Sequence, residues 1–373
     1  MGKTSESLGS MNITRPALIL DRKRVIRNIE KMARKANSAR IRFRPHFKTH
    51  QSAEIGKWFR EFGVEAITVS SVDMAEYFAR SGWSDITVAF IANIVQMEEI
   101  NSLAGKVKLN LVVDSARTAT ALEEHLNHKV RVWIKVNAGY PRTGILWSRF
   151  EEIISLARFL KSSSRLDLCG LLTHSGHSYH SSGADEIIGI HKETVSRLSE
   201  VKEKLEAAGV QPVEISIGDT PTCSIVDDFA GVDEIRPGNF VFHDLMQLEL
   251  GTCADEAIAL AVACPIVGRY PERNQIAIYG GAAHLSKDYI LDRDGKAIFG
   301  CLTSLEGGTF GPADMKARIV SLSQEHGTVQ LDGGLFEKYA NEDFALVFPV
   351  HSCLTALMHK GYRTMDGETV PIL

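Results

Sequence analysis

The feature of this chain that most constrains its fold is an alternation of short β-branched runs with longer amphipathic segments. Eight apolar runs lie between Ile41 and Pro237, namely IRFRP, AITVS, DITVAF, KLNLVV, VRVWIKV, LDLCGLL, VEISI and VDEIRP. Segments of helical periodicity separate them, such as SARTATALEEHL, which begins beside the N-cap residue types Asp114 and Ser115. Eight strands alternating with helices predict an α/β protein built on a closed parallel (β/α)8 barrel. A doubly wound sheet is the alternative, but no G-x-G-x-x-G follows the first strand.

The pattern changes after Asp244. The later apolar runs, such as NQIAIYGG and DFALVFPVHSCL, read as strands joined by Gly, Asn and Asp turns. We therefore predict a barrel domain over residues 15–244 and an all-β domain over residues 245–373, joined by a first strand near residues 15–20. The opening MGKTSESLGS, followed by Met11, is small and polar, so we expect a disordered leader.

The overall charge argues against two classes of partner. Lys and Arg total 42 against 46 Asp and Glu, a formal charge of -4, which gives no general attraction to nucleic acid or to anionic lipid. No apolar run approaches the roughly 20 residues of a membrane span. The six cysteines are far apart and form no CxxC pair, which is typical of reduced thiols in the cytoplasm. We expect no nucleic acid and no membrane as partners, and a small-molecule substrate instead.

Polar residues crowd the positions that follow the predicted barrel strands. The segments are HFKTH, NAGYPRTG, THSGHSYH, GDTPT and GNFVFHD. Chemistry in (β/α)8 barrels takes place at the carboxyl ends of the strands, so these segments are the candidate site. The last two supply Gly, Thr and Asn, whose amides and hydroxyls can hold a phosphate group. Ordinary turns of the same composition are the alternative.

Lys48 is the candidate nucleophile among these residues. In RPHFKTHQ it lies between Arg44, His46 and His50, and we expect like charge and desolvation at a barrel mouth to favour the free amine. A lysine in that state forms Schiff bases. Together with a phosphate cradle, Lys48 suits pyridoxal 5′-phosphate. A solvated basic turn is the alternative.

Five motifs in one order carry a family resemblance. RPHFKTH, HSGHSYH, IGDTPT, EIRPGNFVFHD and PVHSCLT resemble the D-threonine aldolase and D-serine dehydratase family, and the resemblance extends from about Arg15 to the end of the chain. It implies a fold-type III pyridoxal-phosphate enzyme with an alanine-racemase-like barrel and a C-terminal β domain. It also implies a homodimer in which the β domain of one subunit completes the barrel mouth of the other.

The resemblance implies a role for each matching residue. Lys48 corresponds to the lysine that holds the cofactor, and Arg142 to an arginine near its phenolate side. His174 and Tyr179 correspond to residues that flank the pyridine ring and its nitrogen. The positions that match the phosphate-holding loops are Gly218, Asp219, Thr220, Gly238 and Asn239.

Two departures from the family pattern limit this transfer. Asp219 stands where the family often has a small hydroxyl residue, and its carboxylate would repel a phosphate unless it points away. The segment YGGAAHLSKD, from Tyr279 to Asp288, differs from the family pattern and adds His284. If it faces a substrate, that substrate differs from threonine and serine.

His351 and Cys353 are the candidate metal ligands. They lie two residues apart in the strand-like run DFALVFPVHSCL, a spacing that predicts both side chains on one face of a strand. Imidazole and thiolate suit zinc first and manganese second, and two protein ligands leave positions open for substrate. A chance pairing beside a buried cysteine is the alternative. In HSGHSYH, by contrast, we expect His174, His177 and His180 to stack, hydrogen bond or move protons.

These expectations converge on a lyase that uses pyridoxal phosphate and a divalent metal on a β-hydroxy D-amino acid. Aldol cleavage to glycine and an aldehyde, as in D-threonine aldolase, is the first prediction. Elimination of water to a 2-oxo acid and ammonia, as in D-serine dehydratase, is the alternative. An amino-acid racemase and a non-catalytic pyridoxal-phosphate carrier are further alternatives, although the metal pair disfavours the racemase and the second domain disfavours the carrier.

Overall fold

The computed structural model describes residues 12–373, so the leader predicted at MGKTSESLGS and Met11 lies outside the described residues. The described chain forms two compact units. One comprises residues 31–48 and 56–238, and the other comprises residues 12–30, 49–55 and 239–373. The boundary predicted at residue 244 stays a prediction. Among the helices of residues 12–373, none is long and apolar enough to cross a bilayer.

The strands are numbered in chain order. They are β1 (Ala17–Leu20), β2 (Arg42–Phe43), β3 (Ala66–Val69), β4 (Asp85–Ile91), β5 (Lys108–Val113), β6 (Val130–Asn137), β7 (Ile145–Leu146), β8 (Leu166–Leu172), β9 (Glu214–Ile217), β10 (Glu234–Ile235), β11 (Leu260–Tyr270), β12 (Gln275–Tyr279), β13 (Ile290–Leu291), β14 (Ala297–Ile298), β15 (Gly300–Thr303), β16 (Leu305–Glu306), β17 (Thr309–Phe310), β18 (Asp314–Leu322), β19 (His326–Leu331), β20 (Phe344–Pro349), β21 (Gly361–Thr364) and β22 (Thr369–Pro371).

The α-helices are numbered in the same way. They are α1 (Arg22–Ser38), α2 (Ala53–Arg60), α3 (Val72–Arg80), α4 (Met97–Ala104), α5 (Ala116–His125), α6 (Phe150–Ser162), α7 (Ala184–Ala207), α8 (Thr220–Ile225), α9 (Leu245–Glu249), α10 (Ala282–Leu285), α11 (Phe336–Tyr339) and α12 (Ser352–Leu357).

The first unit is a parallel barrel. Its strands follow the order β2-β10-β9-β8-β6-β5-β4-β3, and a parallel bridge between His46 and Thr68 closes the ring between β2 and β3. Each of the eight runs identified in the sequence forms one of these strands, and Ser115 caps α5 as its residue type predicts. Because the β-branched runs pack on both faces, they read as continuous apolar segments. The prediction of a (β/α)8 barrel is confirmed.

The second unit is built on a mostly antiparallel sheet. Its strand order is β12-β19-β18-β15-β20-β11-β1-β21-β22, and only the β1–β21 pair is parallel among its described pairings. Buried apolar residues such as Ile19, Ala261 and Phe348 pack together in its core. The prediction of an all-β C-terminal part is confirmed. The N-terminal strand β1 pairs with β11 on one side and with β21 on the other.

Candidate active site

Lys48 lies at the carboxyl end of the barrel strand β2. The preceding residue, Phe47, is fully buried and packs against Phe59, Phe78 and Trp83 at ring-centroid distances of 4.9, 5.0 and 5.1 Å. This aromatic cluster fixes the backbone on which Lys48 stands, whereas the Lys48 side chain itself is exposed. Lys48 N donates to His46 Nδ1 at 3.4 Å, so the turn is held on both sides of Phe47.

The predicted cationic surroundings of Lys48 are wrong in all three of their members. Arg44 points to the amino end of the barrel, where it donates to Glu234 and to Asp85. Burial lowers the pKa of His50 to about 3, so that ring is uncharged at neutral pH. His46 is also uncharged, because burial and then the positive charges of Lys48 and Arg236 lower its pKa well below the usual value.

Three other cations take their place at the carboxyl end of the barrel. They are Lys135, Arg142 and Arg236. Burial, and then the positive charges of Arg236 and Arg142, lower the pKa of Lys135 well below its usual value, so the three side chains act on one another. Sequence reasoning missed Lys135 and Arg236. The signal for Lys135 was a charged residue inside the apolar run VRVWIKV, and Arg236 follows β10 directly.

The burial of Lys135 depends on a glycine. Gly144 has φ +101°, and a Cβ atom there would lie 2.8 Å from Lys135 Cγ and 2.9 Å from its carbonyl oxygen. Only glycine accepts both the backbone conformation and the close approach. The chain from Gly144 therefore covers the stem of Lys135, which is 7% exposed.

His174 and Tyr179 both contact the loop that follows β9. His174 Nδ1 lies 2.6 Å from the carbonyl oxygen of Gly218, so Nδ1 carries the proton and donates it. Burial lowers the pKa of His174 well below its usual value, which leaves Nε2 as an acceptor. Tyr179 Oη accepts from the backbone N–H of Thr220 at 3.2 Å. HSGHSYH and IGDTPT, two of the motifs, therefore meet in the fold.

The Asp219 carboxylate caps α8. Its Oδ1 accepts from the Thr222 N–H at 2.8 Å and from Ser178 Oγ at 2.8 Å. Burial raises the pKa of Asp219. The preceding Gly218 packs on the backbone of Arg236, where a Cβ atom would lie 2.8 Å from the Arg236 nitrogen. The β9 and β10 loops therefore approach each other closely through a glycine.

The remaining phosphate-loop candidates lie just past β10. Gly238 ends the barrel unit, and Asn239 begins the last segment of the second unit. The Asn239 side chain is buried, and its Nδ2 donates to Asp244 at 2.6 Å and to Ser352 Oγ at 3.0 Å and lies 3.6 Å from Cys353 Sγ. These contacts direct the Asn239 amide to α12. The phosphate role of its side chain stays a prediction that no contact supports.

The strand geometry predicted for His351 and Cys353 is wrong. Strand β20 ends at Pro349, His351 is the N-cap residue of α12, and Cys353 lies in the first turn of that helix. Leu354, Leu357 and Met358 follow at helical spacing, a signal that the strand interpretation overlooked. The two side chains nevertheless meet. Burial alone would lower the pKa of His351. The charge of the Cys353 sulfur and its hydrogen bond with His351 instead raise that pKa to about 9.

The His351 and Cys353 pair has the chemistry of an open metal site. Within residues 12–373 no group of three or more His, Cys, Asp or Glu side chains is arranged to hold a metal. The pair supplies one nitrogen and one sulfur donor, and the negative charges of Asp244 and Asp288 act on His351. A nitrogen and sulfur pair near carboxylates fits a borderline divalent ion that takes its other ligands from water or substrate.

The structure also tests what was predicted for two other histidines, His177 and His191. His177 stacks on Tyr140 at 5.9 Å and 14°, as the prediction that it stacks requires. His191, which we expect to be solvated together with His125 and His128, is 7% exposed and meets Phe229 edge to face. The solvated assignment is wrong for His191, because its side of α7 faces the core.

Comparison with known families identifies the chain. Residues 20–245 match the alanine racemase N-terminal domain family, and residues 259–365 match the putative serine dehydratase domain family. This chain belongs to the fold-type III pyridoxal-phosphate enzymes of the D-threonine aldolase and D-serine dehydratase type. It is a pyridoxal-phosphate-dependent lyase. The family resemblance seen in the five motifs is confirmed.

Relatives of this lyase extend over its full length. A D-serine dehydratase of Dictyostelium discoideum is 30% identical, over 99% of this chain and 97% of that protein. The structure of a D-threo-3-hydroxyaspartate dehydratase from Delftia sp. HT23 superposes with a TM-score of 0.90 at 26% identity, covering 99% of both chains. A 3-hydroxy-D-aspartate aldolase of Paracoccus denitrificans is 24% identical, over 96% of this chain and 91% of that protein.

Proposed function

We propose that this lyase eliminates water from a β-hydroxy D-amino acid and releases a 2-oxo acid and ammonia. The observation that carries the proposal is the match of residues 259–365 to the putative serine dehydratase domain, a segment that includes His351 and Cys353. The dehydratase names of the relatives from Dictyostelium and Delftia support it. Aldol cleavage, the first prediction from sequence, is the second candidate, supported by the aldolase of Paracoccus.

The barrel residues fit a bound pyridoxal phosphate. When bound, that cofactor withdraws electrons from the substrate's α-carbon. Lys48 would hold it covalently, and the positive charges of Arg142 and Arg236, which act on the buried Lys135, favour an anionic ligand. Backbone amides of Gly218 and Gly238 would contribute to the cradle for the phosphate, since the Thr220 N–H donates to Tyr179 Oη and the Asp219 carboxylate caps α8.

His351 and Cys353 fit a divalent metal, with zinc the first expectation and manganese the second. Such an ion acts as a Lewis acid toward an oxygen atom of the substrate. The chain's own contribution is to hold one nitrogen and one sulfur at adjacent positions at the start of α12. With two protein ligands, the remaining positions stay open to water and to substrate.

The two candidate reactions differ in the proton that is removed. In dehydration the α-proton leaves and the bond from Cβ to the hydroxyl oxygen breaks, whereas in cleavage the hydroxyl proton leaves and the Cα–Cβ bond breaks. The Lys48 amine is the candidate base for the α-proton. His174 Nε2 is an uncharged acceptor at neutral pH, and it is the candidate base for a hydroxyl proton.

One panel assay separates the two reactions. Purified enzyme, supplied with pyridoxal phosphate and zinc or manganese, is incubated with the D- and L-forms of serine, threonine and 3-hydroxyaspartate. We expect 2-oxo acid and ammonia in equal amounts from D-substrates, without aldehyde. Glycine and an aldehyde in place of the 2-oxo acid would establish cleavage, and interconversion of enantiomers alone would establish a racemase. Cofactor binding without any product would leave only the carrier.

A homodimer completes the proposal. Family resemblance supports it, and two-fold dimers are the commonest oligomers. Light scattering at concentrations where the enzyme is active should give twice the mass of the 41.1 kDa chain. A 41.1 kDa particle at those concentrations would contradict the dimer.

A further inference from the structure

The Cys353 sulfur has polar neighbours besides His351, all within the second unit. Thr49 Oγ1 lies 3.2 Å from Cys353 Sγ, and Asn239 Nδ2 lies 3.6 Å from it. Thr49 is completely buried and Asn239 is 3% exposed. Water therefore does not compete for either contact, and each group keeps its position relative to the sulfur.

Asp244 determines which end of the Asn239 amide faces the sulfur. The Asp244 carboxylate is completely buried, and its Oδ2 accepts from Asn239 Nδ2 at 2.6 Å. If the amide were turned over, its carbonyl oxygen would meet that carboxylate, and two acceptors would face each other. The N–H end is therefore held toward Asp244, Ser352 and Cys353, whereas Asn239 Oδ1 is buried and has no hydrogen-bond partner among residues 12–373.

The same carboxylate fixes the helix that carries the cysteine. Asp244 Oδ2 also accepts from the Ser352 backbone N–H at 2.9 Å, at the first turn of α12, and Oδ1 accepts from the Gln247 N–H at the start of α9. One buried side chain thus positions both the sulfur's helix and the amide that contacts the sulfur. A role in packing alone would not require this orientation of the amide.

We infer that Thr49 and Asn239, the latter oriented by Asp244, are positioning residues that donate hydrogen bonds to the Cys353 sulfur and tune it as a metal ligand. This inference rests on the proposed metal role of His351 and Cys353. Hydrogen bonds to a coordinating sulfur draw electron density away from the metal and fix the direction of the sulfur lone pairs. The sequence motif GNFVFHD therefore serves the metal pair through its asparagine side chain.

The test uses cobalt(II) as a spectroscopic probe of the holoenzyme freed of metal by chelation. Cobalt bound by a cysteine sulfur gives a sulfur-to-cobalt charge-transfer band in the near ultraviolet, which reports on the sulfur independently of turnover. Thr49→Val and Asn239→Leu each remove one donor at similar volume. We expect each to move the band to longer wavelength and to weaken cobalt affinity by about 10- to 100-fold.

The control is Thr252→Val, which removes a buried hydroxyl that bonds to Gln247 and not to the sulfur, and it should leave band and affinity within about threefold of wild type. Unchanged band and affinity in Thr49→Val overturn the inference, even if Asn239→Leu fails to fold. If the band survives in Cys353→Ala, or if the wild-type protein shows no band, both the inference and the proposed metal role are overturned. A band lost only with Cys353→Ala and unmoved by the donor variants overturns the inference alone.

Discussion

The two ends of the barrel are both rich in charge, but they use it in opposite ways. At the amino ends of the strands, Arg44 donates to Glu234 at 2.7 Å and to Asp85 at 2.6 Å, and Arg42 holds Glu214 through two bonds. Both arginines therefore meet carboxylates.

At the carboxyl end, the buried cations meet mostly neutral oxygen. Arg236 donates to Ser216 Oγ at 2.7 Å and to the carbonyl oxygens of Thr173 and Ser216. Burial lowers the pKa of Arg236 to about 10, a sign that desolvation outweighs its partners, and Lys135 is shifted in the same direction. The amino end is arranged for stability, and the carboxyl end keeps positive charge for an anionic ligand.

The largest expected effect belongs to Lys48 at the carboxyl end. Lys48→Ala should lower turnover by more than about 10³-fold, because it removes both the covalent attachment and the candidate base. Borohydride should fix the pyridoxyl group of wild type onto the peptide that contains Lys48, as mass spectrometry would show. The exposed Lys192 on α7 supplies the control, and Lys192→Ala should keep the absorbance of the bound cofactor and the activity. A label on another lysine would refute the assignment.

The next effect belongs to the amino end. Arg44→Ala leaves Glu234, which is completely buried, without its main partner, so the free energy of unfolding should fall by about 3 to 5 kcal/mol. Arg149→Ala breaks an exposed pair with Glu152 in the same unit and should cost less than about 1 kcal/mol. Urea unfolding measures both. Equal losses in the two variants would mean that the buried network has no special weight.

The comparison also predicts that a cation at the carboxyl end is destabilising. Lys135→Met keeps the volume of the stem but removes the amine, and it should raise the free energy of unfolding of the cofactor-free protein by about 1 to 4 kcal/mol. The same variant should bind pyridoxal phosphate more weakly, as a spectroscopic titration would show. If Lys135→Met destabilises the cofactor-free protein, the buried amine has a structural function and the contrast between the ends fails.

The smallest effect concerns acid stability. Although burial opposes it, Arg44 holds the pKa of Glu234 below its ordinary value of 4.5, and Arg44 and Lys108 do the same for Asp85 relative to 3.8. Since these pKa values are lower in the folded state, the stabilisation is present above about pH 4.5 and is lost as the pH falls through the folded values. The free energy of unfolding should fall between about pH 6 and pH 3, and in Arg44→Ala this fall should be smaller by on the order of 1 kcal/mol. Parallel stability curves for the two proteins would contradict this.

The barrel could be predicted because most of its strands are short, mainly apolar runs rich in β-branched residues, with a helix after each. Those signals are local, and the parallel pairing follows from them. The direction of a side chain near a short strand is not local. Arg44 and Lys48 lie on either side of the barrel closure at β2, a strand of two residues, and the partners of Arg44 are 41 and 190 residues away.

The pair His351 and Cys353, proposed as metal ligands, shows the same limit. Parity along a strand predicted that His351 and Cys353 would meet, and they do meet, but through a helix N-cap. Thr49 and Asp244 lie inside the motifs RPHFKTH and EIRPGNFVFHD, but the motifs do not predict that these residues lie near the pair, because they come from separate segments. Lys135 did have a signal, a lone charge inside an apolar strand, which a closer reading of VRVWIKV would have used.

The position of β1 has a consequence for synthesis on the ribosome. This strand leaves the ribosome well before its two neighbours in the sheet, β11 and β21, which begin at Leu260 and Gly361. Both edges of β1 stay unpaired until those later segments have been translated. A gene fragment that starts at residue 245 would leave the β21–β22 hairpin cut off from the rest of its sheet. Supplying residues 12–30 as a separate peptide should restore the missing strand, much as donor-strand complementation does.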